Sequence, residues 1–125
     1  MDKRRILIVD DQPEVLRIYA RALEIANYEP VIANSATAAM ELIQTAPPDA
    51  ILLDLKMPFV NGLGFLYRLR AMKPTLPVAL VTGVTNLDDT TVQEIASLNA
   101  ELAYKPLGIT DIQTLAEKLL RRSTT

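Results

Sequence analysis

Three aspartates, a threonine and a lysine are the residues of this chain whose types and positions suggest chemistry. Asp10 and Asp11 are adjacent, and they follow an apolar run, as do Asp54, Thr82 and Lys105. Carboxylate oxygens are the ligands that Mg²⁺ prefers. A carboxylate beside a metal and an ammonium group can act as the nucleophile in phosphoryl transfer. We therefore expect Mg²⁺ or Mn²⁺ chemistry if the fold brings the five residues together.

Each of these residues also has an ordinary explanation when it is taken alone. An aspartate after a strand is more often a helix N-cap than a ligand, and a threonine before glycine is usually a turn residue. A lysine before proline is usually a solvated strand end. These explanations are independent of one another, whereas a shared crevice accounts for all five residues at once. The choice depends on the elements that position them.

The composition limits the class of protein. The 125 residues are 50% hydrophobic and 22% charged, which suits one domain with a substantial core. The chain has neither cysteine nor histidine, which excludes disulfides, thiolate or imidazole metal sites and a phosphohistidine on this chain. A net charge of −2 argues against direct nucleic acid binding. The sequence shows neither a membrane span nor a signal peptide, so we expect a cytoplasmic protein without membrane contact.

Short apolar runs alternate five times with stretches of helical spacing, and this alternation predicts the elements. The predicted strands cover residues 6–9, 31–33, 51–53, 78–81 and 102–104. The predicted helices carry these apolar stripes: Val15, Leu16, Tyr19 and Leu23; Ala39, Met40 and Ile43; Phe65, Leu69 and Met72; Val92, Ile95 and Ala96; Ile112, Leu115, Ala116, Leu119 and Leu120. The predicted helix starts are Pro13 in a first turn and N-caps at Ser35, Asp88 and Thr110 or Asp111.

Strict alternation of strands and helices predicts an α/β fold, a three-layer sandwich with a five-stranded parallel sheet and five helices. The second predicted strand carries Pro30 and the fifth carries Glu101, which suits sheet edges. The strand order is then 2-1-3-4-5, as in flavodoxin-like folds, with ligands bound beyond the carboxyl ends of strands 1 and 3. This order places Asp54 beside Asp10 and Asp11.

Four motifs together resemble one family. The stretches "ILIVDD", "ILLDLKMPFVNG", "LVTG" and "YKP", in this order and spacing, are similar to the receiver domain of bacterial two-component response regulators. The resemblance covers the chain from Arg5 to about Arg121. It implies a phosphorylation-activated signalling switch in which Asp54 accepts a phosphoryl group from a sensor histidine kinase or a phosphotransfer protein. Such a protein catalyses only its own phosphorylation and dephosphorylation.

The resemblance also implies a set of metal ligands. Asp11 would bind Mg²⁺ directly, Asp54 would be the second carboxylate, and Asp10 would act through a water molecule. The backbone carbonyl of Lys56 would be a further ligand, and Gly62 would let the chain turn into the third helix.

Two further residues would respond to the phosphoryl group, as the resemblance implies. Lys105 would pair with the phosphoryl group, and the bond between Lys105 and Pro106 would be cis. Thr82 would turn its hydroxyl onto a phosphoryl oxygen and bias the face built from the fourth helix, fifth strand and fifth helix. The same face is a candidate surface for a homodimer.

The sequence departs from the family pattern at positions that tune the switch. The family often has an aromatic residue three positions before the lysine, where this chain has Leu102, while Tyr104 directly precedes Lys105. Lys56 and Val84 stand at two positions that influence dephosphorylation, and neither is an acid or an amide. We expect a comparatively long-lived aspartyl phosphate from these two residues.

Other functions stay open at this stage. A flavodoxin-like FMN-binding protein would use the same switch point, although "VDDQPEV" offers negative charge where a phosphate cradle needs free N–H groups. A haloacid-dehalogenase-like phosphatase would need a second aspartate at the position of Lys56. A degenerate receiver would serve only as a docking module. We expect one receiver domain over residues 1–125 without an output domain, with an unknown output partner.

Overall fold

A parallel sheet of five strands forms the centre of the computed structural model. The structure describes residues 3–54, 56–57, 60–83 and 86–122, excluding the side chains of residues 56, 57, 60, 61 and 122. The strands are β1 (Arg5–Val9), β2 (Glu29–Ala33), β3 (Ala50–Asp54), β4 (Lys56–Met57), β5 (Val60–Asn61), β6 (Val78–Thr82) and β7 (Glu101–Tyr104). The helices are α1 (Pro13–Ile25), α2 (Ala36–Thr45), α3 (Gly62–Met72), α4 (Asp89–Ser97) and α5 (Ile109–Arg122).

The strand order of the main sheet is β2-β1-β3-β6-β7, and all neighbouring pairs are parallel. Counting only these five strands along the chain gives the order 2-1-3-4-5, so the predicted flavodoxin-like topology is confirmed. The edge positions of β2 and β7 are confirmed with it. The sequence did not predict the short antiparallel pair formed by β4 and β5, which precedes α3.

The core lies on both faces of the sheet because side chains alternate along each strand. Ile6, Ile8 and Leu52 face the layer of α1 and α5. Leu7, Leu53 and Leu80 face the layer of α2, α3 and α4. The central strands β1, β3 and β6 are therefore buried on both sides, as their continuous apolar runs predict.

Helix starts follow the capping predictions with one exception. Ser35 Oγ accepts the Ala38 N–H at 3.1 Å, and Asp88 Oδ1 accepts the Thr91 N–H at 2.7 Å, so both N-caps are confirmed. The prediction of Thr110 or Asp111 as the N-cap of α5 was wrong, because α5 begins earlier. Asp111 lies within its first turn and accepts the Gly108 N–H at 2.9 Å, as the acid of a capping box does.

Three residues of the predicted apolar stripes, Met72, Val92 and Ala96, are exposed. Met72, at the end of α3, is 38% exposed, and Val92 on α4 is 36% exposed. In α4, the buried residue is Ile95. None of the helices in the described part of the chain is long and apolar enough to cross a membrane.

Candidate metal centre at the carboxyl edge of the sheet

The strand register places the predicted acids side by side. Val9 pairs with Leu53, so Asp10, which follows β1, lies next to Asp54, the last residue of β3. The Asp10 N–H donates to the carbonyl of Ala33 at 3.2 Å, which continues the pairing with β2 past the end of β1. The acids are thus fixed by the backbone of the central strands.

Asp10, Asp11 and Asp54 form one cluster. Each contributes a carboxylate oxygen to a group whose members all lie within 4.8 Å of one another. Asp10 and Asp54 are 2% and 7% exposed, and Asp11 is more exposed than either. Three carboxylates at this separation repel one another unless a cation lies between them. The geometry therefore fits the binding of a divalent cation.

The donor set also fits the hard cations predicted from the sequence. The three acids offer oxygen only, and the chain has no histidine or cysteine to favour a softer metal. Mg²⁺ is commonly bound through one or two carboxylates together with waters and phosphate oxygens. Asp10, Asp11 and Asp54 are the residues that would hold such an ion.

Lys105 brings a positive charge to the same place. Its N–H donates to the carbonyl of Thr82 at 2.7 Å, which anchors the end of β7 against β6. Its Nζ lies 3.5 Å from Oδ2 of Asp10 and 3.5 Å from Oδ2 of Asp54. The bond between Lys105 and Pro106 is cis, which confirms the prediction. One ammonium group thus faces a cluster of three carboxylates, so a net negative charge is left for a bound cation.

Asp10 combines a structural contact with its place in the cluster. Its Oδ1 accepts the N–H of Gln12 at 3.0 Å, immediately before α1 begins at Pro13. Gln12 occupies the N-cap position and makes no capping contact through its own side chain. The N-cap explanation is therefore wrong for Asp10, which precedes the cap: one of its oxygens closes a turn with the Gln12 N–H, while the other oxygen faces Lys105.

Thr82 ends β6 and is 1% exposed. The register of β6 and β7 pairs Thr82 with Tyr104, and it pairs Leu80 with Leu102. Leu102 packs against the core cluster on the α3 and α4 side, whereas Tyr104 is 44% exposed. The aromatic residue of this strand therefore lies directly beside the threonine, and the usual aromatic position is filled by a partly buried leucine.

Tyr19 is a residue of the site region that sequence reasoning assigned only to the core. It lies on α1 and is 6% exposed. Burial, followed by the negative charges of Asp10 and Asp54, raises its pKa to about 12. Its position on the apolar stripe indicated burial, but no pattern in the sequence indicated that the field of the acids reaches it.

Of two further predicted residues, Lys56 is described only in its backbone and Val84 lies outside the described residues. Lys56 belongs to β4, two residues after the end of β3, and its backbone pairs with Asn61. Its role as a carbonyl ligand stays a prediction. Its side chain, like all of Val84, lies outside the described residues, so the expected long phosphoryl lifetime also stays a prediction.

The fold and the acidic cluster define a flavodoxin-like protein with a candidate cation site at the switch point of its sheet. Comparison with known sequences gives the family. The family model of the response regulator receiver domain matches residues 6–117. The chain therefore belongs to this family and is a receiver domain of two-component response regulators.

Individual relatives agree with this assignment. The transcriptional regulatory protein PrrA of Mycobacterium tuberculosis is 31% identical over 121 residues, which span 94% of this chain and 50% of PrrA. The response regulator MprA of Mycolicibacterium vanbaalenii is 32% identical over 123 residues, 96% of this chain and 52% of MprA. The chain thus spans about half the length of these curated relatives.

Solved structures show the same fold. The CheY-like receiver domain protein of Methanospirillum hungatei superimposes with a TM-score of 0.87 at 27% identity, covering 98% of both chains. NtrX of Brucella abortus gives a TM-score of 0.88 at 27% identity, covering 98% of this chain and 28% of NtrX. The comparisons give no support to the FMN-binding or docking-only alternatives.

Proposed function

We propose that Asp54 is the phosphoryl acceptor of this receiver domain. The observation that carries the proposal is the cluster of three carboxylates within 4.8 Å, of which Asp10 and Asp54 each lie 3.5 Å from the ammonium group of Lys105. Asp54 is the member at the end of the central strand β3. Its carboxylate faces both a candidate cation site and Lys105, which is the environment that a carboxylate nucleophile needs.

The phosphoryl donor in this proposal is a phosphohistidine of a sensor kinase or a phosphotransfer protein. An oxygen of Asp54 forms the new bond to phosphorus while the bond between phosphorus and the imidazole nitrogen breaks. The imidazole leaves with the bonding electron pair and takes up a proton. Lys105 is placed to attract the oxygens of the incoming phosphoryl group, because its Nζ lies 3.5 Å from Oδ2 of Asp54.

The ion of this site is proposed to be Mg²⁺, with Mn²⁺ as a substitute. A bound divalent cation neutralises negative charge on the acceptor and on the phosphoryl oxygens. Asp11 is assigned as a direct ligand together with Asp54 and the carbonyl of Lys56, and Asp10 is assigned to a contact through water. The contacts of Asp10 support this division. Its Oδ1 accepts the Gln12 N–H and its Oδ2 faces Lys105, so both carboxylate oxygens already have partners in the protein.

Thr82 is proposed to report phosphorylation. It is buried at the end of β6. A backbone hydrogen bond from the Lys105 N–H to its carbonyl joins it to the lysine. Rotation of its hydroxyl towards the phosphoryl group would be transmitted through residues 83–88 to α4. The face formed by α4, β7 and α5 is therefore the proposed output surface and the proposed surface for a homodimer.

The partners and the activity of the whole protein are part of the same proposal. The relative named transcriptional regulatory protein PrrA is about twice the length of this chain. We assign to residues 1–125 the signal-receiving role alone, acting on its own acceptor and on no external substrate. Direct nucleic acid binding is not expected of these residues because of their net charge of −2. The cytoplasmic location stays a prediction.

Acetyl phosphate tests the acceptor without knowledge of the kinase. The protein is incubated with acetyl phosphate and Mg²⁺, and its intact mass is measured for the wild type and for Asp54→Asn. The wild type is expected to gain one phosphoryl group, and neither the variant nor a sample treated with EDTA is expected to gain it. A wild type that gains none, or a variant that gains as much, contradicts the proposal.

A further inference from the structure

Helix α4 is held less firmly by apolar packing than the other helices. Its buried residue is Ile95, and its neighbour Val92 is 36% exposed. Helices α1, α2 and α3 each bury four residues within the described part of the chain. Within α4 itself, apolar burial is thus confined to Ile95, and polar contacts add to what holds the helix in place.

Those polar contacts come from α3 and lie one helical turn apart. Tyr67 Oη donates to Oε2 of Glu94 at 2.5 Å. Arg70, three residues further along α3, donates from Nε to the Leu98 carbonyl at 2.7 Å and from Nη2 to the Asn99 carbonyl at 3.1 Å. One contact thus holds the middle of α4, and the other holds its C-terminal end.

The two contacts differ in how easily they can open. The guanidinium of Arg70 also donates from Nη1 to the carbonyls of Lys73 at 3.1 Å and Leu76 at 2.7 Å. It is half-buried, and its acceptors are backbone atoms that cannot rotate away. The contact of Tyr67 is a single hydrogen bond between two side chains, and Tyr67 is 47% exposed. We expect the Tyr67 contact to break first when α4 is displaced.

We propose that the hydrogen bond between Tyr67 and Glu94 is a latch that holds α4 against α3 before phosphorylation, with Arg70 as the pivot. The proposal rests on the function proposed above, because the displacement begins at Thr82. Residues 83–87 connect Thr82 to Asp88, the N-cap of α4, so the displacement reaches α4 at its N-terminal end. Glu94 lies between that end and the pivot. A tilt of α4 therefore opens the latch and leaves the contacts of Arg70 in place.

Hydrogen exchange of the unphosphorylated protein tests the latch without any phosphoryl chemistry. Tyr67→Phe removes the donor and keeps the ring, so the amides of α4 are expected to exchange about three to ten times faster than in the wild type. Glu94→Gln keeps an acceptor oxygen and is expected to have a smaller effect. Tyr28→Phe removes a phenol hydroxyl that lies away from α4 and serves as the matched control. Unchanged exchange in α4 of Tyr67→Phe, or an equal change in Tyr28→Phe, overturns the latch.

Beryllofluoride with Mg²⁺ mimics a phosphoryl group on the acceptor and tests the link to the switch. In the wild type it is expected to increase exchange in the N-terminal and middle turns of α4. The increase is expected to be at least halved in Tyr67→Phe, whose latch is already open. An increase of the same size in both proteins overturns the proposed role in the switch. If acetyl phosphate fails to modify the wild type, the proposed function fails, whereas the exchange measurement on the unphosphorylated protein still decides whether the latch exists.

Discussion

The two edges of the central sheet use charge in opposite ways. At the amino edge, Arg5 begins β1, and its side chain donates to Glu29 at 3.1 Å and to the carbonyls of Ala46 and Pro47 at 3.0 and 3.2 Å. Its backbone N–H donates to Asp49 Oδ2 at 2.7 Å. At the carboxyl edge, the ammonium group of Lys105 faces a cluster of three carboxylates. The donors of Arg5 have acceptors fixed around them at the first edge, whereas the single charge of Lys105 is outnumbered by carboxylates at the second.

The amino edge therefore stabilises the fold, and the carboxyl edge is prepared for a ligand. Partners fixed around Arg5 contribute to stability in the absence of any ligand. The acids at the other edge repel one another, so their arrangement costs stability until a cation binds. Substitutions at the two edges should therefore change the free energy of unfolding in opposite directions.

The largest expected change in the free energy of unfolding is at the amino edge. Arg5→Met keeps much of the aliphatic side chain and removes its donors, and we expect the free energy of unfolding to fall by about 1–3 kcal/mol. Urea denaturation at neutral pH measures this loss. Arg4→Met is the matched control because Arg4 is exposed. Equal losses in the two variants would show that the contacts of Arg5 contribute nothing specific.

At the carboxyl edge, a substitution is expected to raise the free energy of unfolding. Asp11→Asn removes one charge from the cluster and leaves the ion pairs of Lys105 intact, so in EDTA the free energy of unfolding should rise by about 0.5–1 kcal/mol. Mg²⁺ should stabilise the wild type against urea and have little effect on the variant.

Glu24→Gln, which removes an exposed charge on α1 and outside the acidic cluster, controls for net charge. If Asp11→Asn is less stable than the wild type in EDTA, or gains as much stability from Mg²⁺, the proposed difference between the two edges is contradicted.

The smallest change in the free energy of unfolding at neutral pH is expected from a substitution of the Tyr19 phenol, whose pKa responds to the acids. The folded chain raises the pKa of its phenol from 10.0 to about 12. Below pH 10 the phenol is protonated in both the folded and the unfolded chain. Above it the unfolded chain loses this proton first, so the folded state loses stability between about pH 10 and 12.

Tyr19→Phe cannot lose this proton, so its free energy of unfolding should fall less between pH 9 and 11 than that of the wild type, as urea denaturation at both pH values would show. Other groups titrate in this range in both proteins and cancel in the comparison. Parallel declines would mean that the acids and the surrounding core have no effect on this phenol.

The sequence was sufficient to predict the sheet and the meeting of the acids. Continuous apolar runs indicated the central strands, and Pro30 and Glu101 indicated the edges. Once the order was known, residues that follow strands had to meet at one edge. The contact of Lys105 with Asp10 as well as Asp54 was not predictable, because it depends on the direction of a long side chain.

The packing of α4 was also not predictable from the sequence. Its apolar spacing predicted a buried stripe, yet Val92 is exposed and Ile95 alone among the described residues of α4 is buried. Periodicity identifies the apolar face of a helix but not its distance from the sheet. The contacts of Tyr67 and Arg70 join residues far apart in the chain, so no local pattern indicated them.

Chemical trapping of the phosphorylated residue identifies the phosphoryl acceptor by its position in the chain. Borohydride reduces an aspartyl phosphate to homoserine, which peptide mass spectrometry then locates. After treatment with acetyl phosphate and Mg²⁺, homoserine is expected at position 54, and treatment in EDTA should yield none. Homoserine at position 10 or 11, or a gain of phosphate without homoserine at position 54, would contradict the assignment of Asp54 as the acceptor.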